Sequence, residues 1–454
     1  MHKTDNPVDI FREIVGDAHV VADPDKLKPL TVDGVIPGLM VSPGTIAETS
    51  RVMAAAHGLG LAVLPTGSGT KMTLGGIPKR ADVLLSTKRM NGYADYDIAN
   101  LTIEVECGAT VHEVQAKLGA EGEGYFLPLD PPHSQGATIG GVVATNSNGP
   151  RRLLYGGLRD IILGNTAVLA NGDIVHAGGK VMKNVASYDL TKLLIGSLGA
   201  LGLICRTTFR IYLKPEAAAT LFLSFANLKE AETFFHKVIP SFYYPAALEL
   251  MNAQTVAACQ GTVPLSGAYV VAVGLEGIVE AVERQIADMT EMGRTAGALG
   301  TFSLKGDGHR GFWVAYGDFT DELIKSHPDL IVLKSNFAIS RQTQVMEAAA
   351  QAVKKAGGEC ALACHAGSGI LTTAILTGGE AGVKKEAIVK LIEEMTGEAV
   401  KNDGNLIVEK APLFIKEKVS VWGKIGADIS LARGLKEQFD PTGIINPGRY
   451  VGGI

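Results

Sequence analysis

Glycine is unevenly spread along this chain. It supplies 55 of 454 residues, about 12% where about 7% is usual, and much of the excess falls in four short clusters. They are Thr66 to Gly76 (TGSGTKMTLGG), Gly136 to Gly149 (GATIGGVVATNSNG), Gly196 to Gly202 (GSLGALG) and the HAGSG around Gly367 and Gly369. A residue without a Cβ is used where the backbone must turn with positive φ or approach another group closely. The first cluster directly follows an apolar strand, Leu61 to Pro65, so it offers backbone N–H groups in a concave loop suited to a pyrophosphate. A plain surface turn is the alternative. Two nucleotide motifs are excluded: Lys71 follows Thr70 where an ATPase P-loop has Gly-Lys-Ser/Thr, and Met72 stands where the dinucleotide fingerprint has its third glycine.

The rest of the composition narrows the class. A hydrophobic content of 46% is that of packed domains rather than of a disordered chain, and the length suggests two or three of them. With 42 Lys plus Arg against 47 Asp plus Glu, a nucleic-acid footprint is not expected. The five cysteines are scattered and form no zinc or iron–sulfur pattern. The first residues lack a signal peptide's apolar core, which gives the cytoplasm as the expected location. The most apolar run, Leu193 to Cys205, is too short to span a bilayer and is interrupted by Gly196, Gly199 and Gly202, so membrane contact is expected only through a partner.

The element pattern is α+β. Thr45 and Glu48 make a capping box for a helix to Gly60, followed by strands at Leu61 to Pro65, Asp82 to Thr87 and Leu101 to Cys107 and a helix from Val111 to Leu118. Asn171-Gly172 marks a hairpin between Ile161 to Ala170 and Asp173 to Ala177, and Leu201 to Leu213 reads as one more strand. After residue 216, strands and helices alternate as in a separate α+β cap. The tail FDPTGIINPGRY holds too few apolar residues to fold alone.

Pro131-Pro132 opens an extended segment before the second glycine cluster, which supplies a second wall of small residues. The two loops together, with ATIGG at Ala137 to Gly141, the block KVMKNVASYDLTKLLIGSLGALGLI from Lys180 to Ile204 and DPTGIINPGR from Asp440 to Arg449, resemble the vanillyl-alcohol-oxidase or PCMH-type FAD-binding family over nearly the whole chain. Within it the chain is similar to the FAD-binding subunits of glycolate oxidase and to D-lactate dehydrogenases. The resemblance implies a PCMH-type two-subdomain FAD-binding domain over residues 1–215, an α+β cap over 216–410 and a C-terminal segment, 411–454, that returns to the FAD domain. It implies that Thr66, Gly67, Ser68, Gly69, Thr70, Lys71 and Met72, with Thr138, Gly140, Gly141, Ala144 and Thr145, hold the pyrophosphate. Pro65, Pro131 and Ala137 flank these. Gly199, Gly202 and Ile204 would run beside the flavin, and Asn446 would return to its ring. No His or Cys stands in the first loop, so a non-covalent FAD is expected, with Cys107 and His133 the nearby nucleophiles.

The chain also departs from the family pattern. Ser197-Leu198-Gly199 lacks the usual acidic residue, and the metal-binding histidines are reduced to His365, with Thr372 seven residues on and no later Glu-His pair. No metal is therefore expected. Trp313-Val-Ala-Tyr316 stands where the family has Trp-x-x-Arg, so the substrate's carboxylate anchor is missing, and Lys334, Arg310 and Arg341 are substitutes by position. His365 has two readings: a strand-end histidine satisfied by neighbours, or the base that takes a hydroxyl proton. His365, Tyr316 and Lys334 are the catalytic candidates. Gly404 to Gly423 looks like the accessory subunit of glycolate oxidase. The expectations are therefore a 2-hydroxy acid dehydrogenase or a non-catalytic FAD subunit, working with iron–sulfur or electron-transferring flavoprotein partners.

Overall fold

The computed structural model describes residues 6–121, 124–179, 189–260, 263–377 and 385–454, so residues 180–188 of the Lys180 to Ile204 block lie outside it. The chain folds as two compact units. The first holds the chain up to Asn148, Gly157–Leu213 and Ile425–Ile454; the second holds Gly149–Gly156 and Lys214–Lys424.

The first unit contains a four-stranded sheet in the order Val20–Val21, Leu39–Val41, Val83–Ser86, Val63–Thr66, whose last two pairings are parallel. The helix Ile46–Leu59 is capped as expected: Thr45 accepts from the Glu48 amide at 3.1 Å and Glu48 accepts from the Gly44 amide at 2.7 Å. Its buried Val52, Met53 and Ala56 share a core with Val63, Val83 and Leu85. Gly60, at φ 63, ends it and turns the chain into Val63–Thr66. The free edge of that strand is covered by the tail, because Val63 donates to Ile444 at 2.8 Å and accepts from Asn446 at 2.9 Å.

A second, antiparallel sheet runs Tyr93–Asp97, Thr102–Glu106, Leu203–Arg210, Ile162–Val168, Ile174–Gly178. The expected strand over Leu201 to Leu213 divides, since Tyr212–Leu213 leaves to pair with Tyr125–Phe126. The Asn171-Gly172 hairpin forms with a longer loop than the dipeptide alone would need: Leu169 donates to Asp173 at 2.9 Å and Gly172 sits at φ 91. The apolar run Leu193 to Cys205 becomes the end of a short helix, a turn with Gly196 at φ 80 and Gly199 at φ 69, and the start of a strand. No helix among the described residues is long and apolar enough to cross a membrane.

The second unit is built on an eight-stranded antiparallel sheet. Its order is Gly300–Lys305, Ala217–Phe225, Tyr269–Gly277, Ala247–Asn252, Glu359–His365, Ile370–Leu376, Ile331–Asn336, Asn405–Lys410. Alternate side chains point to opposite faces. Leu221, Leu223 and Phe225 pack with the helices Leu228–Val238, Val279–Ala296, Gln342–Lys355 and Lys385–Lys401. Phe222, Met251 and Ala363 face the other way, against Phe312, Tyr316 and Phe319 of Gly306–Gly317 and Phe319–Ser326. Residues 411–424 stay with this unit because Val408 donates to Val421 at 2.8 Å and Asn405 to the Trp422 carbonyl at 3.0 Å. Gly149–Gly156 also joins it, since the buried Glu276 carboxylate accepts from Arg151 Nε at 2.8 Å and the Tyr155 hydroxyl at 2.7 Å.

Candidate functional site

In the first unit the glycine clusters converge on one cleft, enclosing about 800 Å³ of space outside the atoms, open solvent included. Pro65 through Met72 line it, together with Ala137, Thr138, Gly140, Gly141, Ala144, Thr145, Gly199, Ile204 and Asn446. Pro131 and Gly202 do not line it: Pro132 takes the first place, while Gly202 packs toward Leu169 and Val168. Thr87, Val142, Ser147, Leu198, Leu203 and Arg449 also line it and were not singled out from sequence, although Arg449 closes the DPTGIINPGR motif.

The glycines explain how the walls meet. A Cβ on Gly67 would lie 2.0 Å from Thr138 Oγ1, and one on Gly140 would lie 2.8 Å from the Cys107 Cβ. The first loop is therefore seated directly on the Thr138 side chain of the second, which a side chain at Gly67 would push away, while a side chain at Gly140 would push the second loop off Cys107. Beyond the end of the Val63–Thr66 strand, the amides of Ser68, Gly69 and Thr70 donate to no acceptor among the described residues. Three such donors beside small residues fit a pyrophosphate.

Arg449 adds a cation to this wall. Its guanidinium donates to the Met72 and Leu74 carbonyls, the latter at 2.7 Å. Burial pulls its pKa down to about 10, which still leaves it charged at neutral pH. Asn446, at φ 52, donates through Nδ2 to the Leu198 carbonyl and so ties the tail to the third glycine cluster. Neither Cys107 nor His133 is among the lining residues, and burial pushes the Cys107 thiol up to about 12, away from the reactive thiolate.

The catalytic candidates lie in the second unit, on the sheet face that carries Phe222 and Ala363. Glu249 pairs with His365, Ala363 with Thr372, and Thr372 with Lys334. Directly paired residues share a face and so do residues two apart, so Glu249 and His365 lie on the same sheet face as Thr372 and Lys334, which belong to the next cross-strand row, through Ala363. His365 Nδ1 lies 2.8 and 2.7 Å from the two oxygens of Glu249. Tyr316, one helical turn after Trp313, points into the same carboxylate and donates its hydroxyl to Oε2. Burial, and then the Glu249 charge, raise the Tyr316 pKa well above that of an ordinary phenol, so it stays protonated. Lys334 Nζ is 3.6 Å from Glu409. Arg310 and Arg341 are exposed and bond Asp307 and Gln344. Glu249 was not picked out from sequence: in ALELMN it reads as an ordinary alternating strand residue.

A glycine-walled, dinucleotide-sized cleft in one unit and a separate α+β unit in the same chain define a flavin-dinucleotide oxidoreductase. The chain belongs to the FAD-linked oxidases: a family model described as "FAD linked oxidases, C-terminal domain" matches residues 214–450, and one described as "FAD binding domain" matches residues 37–178. Its cofactor is FAD, and it is an enzyme of the FAD-linked oxidoreductase type. It is 29% identical over 426 residues to glycolate oxidase subunit GlcD of Bacillus subtilis, covering 91% of this chain and 89% of that one. It is 27% identical over 440 residues to D-lactate dehydrogenase of Anaerostipes hadrus, covering 91% and 89%. Among solved structures, p-cresol methylhydroxylase superposes with a TM-score of 0.75 at 16% identity, covering 98% of this chain and 96% of that one, which establishes the PCMH-type fold.

Proposed function

We propose that this protein oxidises a 2-hydroxy acid of the D-lactate or glycolate type and passes the electrons to a partner protein. The observation that carries the reading is His365, a strand-end imidazole held through one nitrogen by a buried carboxylate on the same sheet face. FAD, bound by the loops Pro65 to Met72 and Ala137 to Thr145, supplies a two-electron acceptor that can hand electrons on singly. In such an oxidation His365 would take the substrate's O–H proton, and bound FAD would supply the acceptor for the C2 hydrogen and its electron pair, so that C2 becomes a carbonyl and the step balances. Lys334 is the cation on the same sheet face for the substrate carboxylate. The five cysteines are scattered in the sequence without an iron–sulfur ligand pattern, so an iron–sulfur or electron-transferring flavoprotein partner would carry the electrons onward. The names of the glycolate oxidase and D-lactate dehydrogenase relatives support the substrate class.

A second reading, an accessory FAD subunit that relays electrons, draws on one observation: Lys334 is already matched by Glu409, and Tyr316 occupies the place of an arginine anchor. Assaying the purified chain alone with D-lactate or glycolate and an artificial dye separates the two. Turnover supports the catalytic reading, and a flavin-loaded chain that turns over neither substrate supports the accessory one.

A further inference from the structure

Glu249 is a carboxylate in a place where carboxylates are rarely found. Its side chain is 1% exposed, in the middle strands of the cap sheet, and a charge so placed must be matched by hydrogen bonds or opposite charge. Its two partners here, His365 Nδ1 and the Tyr316 hydroxyl, can both donate a proton to it. His365, in contrast, keeps 15% of its side chain exposed. The carboxylate thus grips the inner edge of the ring and leaves the outer edge available. The backbone holds the grip in place: the Glu249–His365 register is antiparallel and direct, Ala366 donates to the Leu248 carbonyl at 2.8 Å, and Ser368 and Gly369 donate back to the His365 carbonyl at 2.9 and 3.0 Å.

We propose that Glu249 is the positioning residue of the site: it fixes His365 as the tautomer with its proton on Nδ1 and the Nε2 lone pair outward, and Tyr316 serves by orienting Glu249, not by touching substrate. The proposal rests on the 2-hydroxy acid reading for its chemistry but not for its geometry. A neutral imidazole that donates from Nδ1 must accept at Nε2, and the tautomer is set by whichever partner the first nitrogen finds. When Nε2 takes the substrate's hydroxyl proton, the resulting imidazolium lies directly against the Glu249 anion, which favours the transfer. Tyr316 gives the same carboxylate its second hydrogen bond, and burial together with the Glu249 charge keeps that phenol from ionising. The other titratable groups nearby are Cys364, whose thiol burial and then Glu249 push up, and the Lys334–Glu409 pair further along the same face.

Two readouts on the full-length flavoprotein test this. Long-range nitrogen–proton NMR on histidine-labelled protein is expected to show His365, assigned by its loss in His365→Asn, with the proton on Nδ1 in the wild type, and this pattern to persist in Tyr316→Phe. Glu249→Gln is expected to abolish that single-tautomer signature and to slow flavin reduction by a 2-hydroxy acid about 100-fold or more with KM nearly unchanged, whereas Tyr316→Phe slows it about 10-fold or less. Glu249→Asp should recover part of the rate. A wild-type His365 protonated on Nε2, or a Tyr316→Phe enzyme as slow as Glu249→Gln, overturns the proposal, and the wild-type spectrum decides even if Glu249→Gln does not fold. If no 2-hydroxy acid reduces the wild-type flavin, the substrate reading falls while the NMR result still stands or fails by itself.

Discussion

Gly67 shows how a single missing Cβ shapes the cleft. A methyl group there would lie 2.0 Å from Thr138 Oγ1, 3.0 Å from its Cβ and 3.1 Å from its Cγ2, so the whole side chain would have to move rather than its tip. Thr138 also caps the Ile139–Thr145 helix, accepting from the Gly141 amide. Gly67→Ala is therefore expected to weaken FAD binding by at least about 10-fold, close to 1.4 kcal/mol, in a titration of the apoprotein followed by flavin fluorescence. His309 in the cap carries a pH dependence instead. Burial lowers its pKa from 6.5 to about 4 while Nδ1 shares a 2.8 Å hydrogen bond with Thr220. Between those values the unfolded chain binds a proton that the folded cap refuses, so stability is full above about pH 6.5 and is lost as the pH falls toward 4. Of the order of 2 kcal/mol is at stake. Denaturant melts at pH 7 and pH 5 should show the loss, and His309→Gln should shrink it. At this scale the glycines were legible because they act through what they lack. Glu249 was not, because its partners lie 67 and 116 residues away and nothing local marks it.

The helices and most strands could be read from caps and periodicity, and Val83–Ser86 lies within the expected Asp82 to Thr87. The strand Tyr93–Asp97 escaped notice: YADYD is half polar and lies at a sheet edge, where its stability comes from pairing with Thr102–Glu106 rather than from its own pattern. The C-terminal helix Ile429–Phe439 and the segment after it act as a clasp. Lys436 is buried and spends its three protons on the Ala200 carbonyl at 2.8 Å, the Ile445 carbonyl at 2.8 Å and Asp440 at 2.7 Å. Asp440 in turn accepts from the Ile444 and Ile445 amides at 3.1 and 2.7 Å. One ammonium thus joins the third glycine cluster to the strip that carries Asn446. Lys436→Met keeps the volume and removes the charge, stranding Asp440 and two carbonyls. The expected cost is about 3 to 5 kcal/mol, seen as a lower melting temperature and faster FAD release. A variant that holds FAD and melts like the wild type would show the clasp to be dispensable. The tail's return was legible from its prolines and its poverty of apolar residues; the ammonium at its centre was not, since a lysine in a terminal helix reads as a solvated charge.

At the scale of the whole molecule, the chain divides its chemistry between two units. The first gathers glycine loops and a buried arginine into the cleft proposed to hold FAD; the second carries Glu249, His365, Thr372 and Lys334 on one sheet face. The order of the eight cap strands could not be read from sequence, because antiparallel pairing between segments as distant as Ala247–Asn252 and Glu359–His365 leaves no local trace. The central claim, that this FAD-linked enzyme oxidises a 2-hydroxy acid with His365 as the base, is tested most directly by mixing the oxidised flavoprotein with D-lactate or glycolate in the absence of oxygen and following the flavin absorbance. The account predicts rapid bleaching that slows when the hydrogen on C2 is replaced by deuterium and that falls about 100-fold or more in His365→Asn. A flavin that dithionite bleaches but neither acid reduces, or one reduced equally fast in His365→Asn, would contradict it.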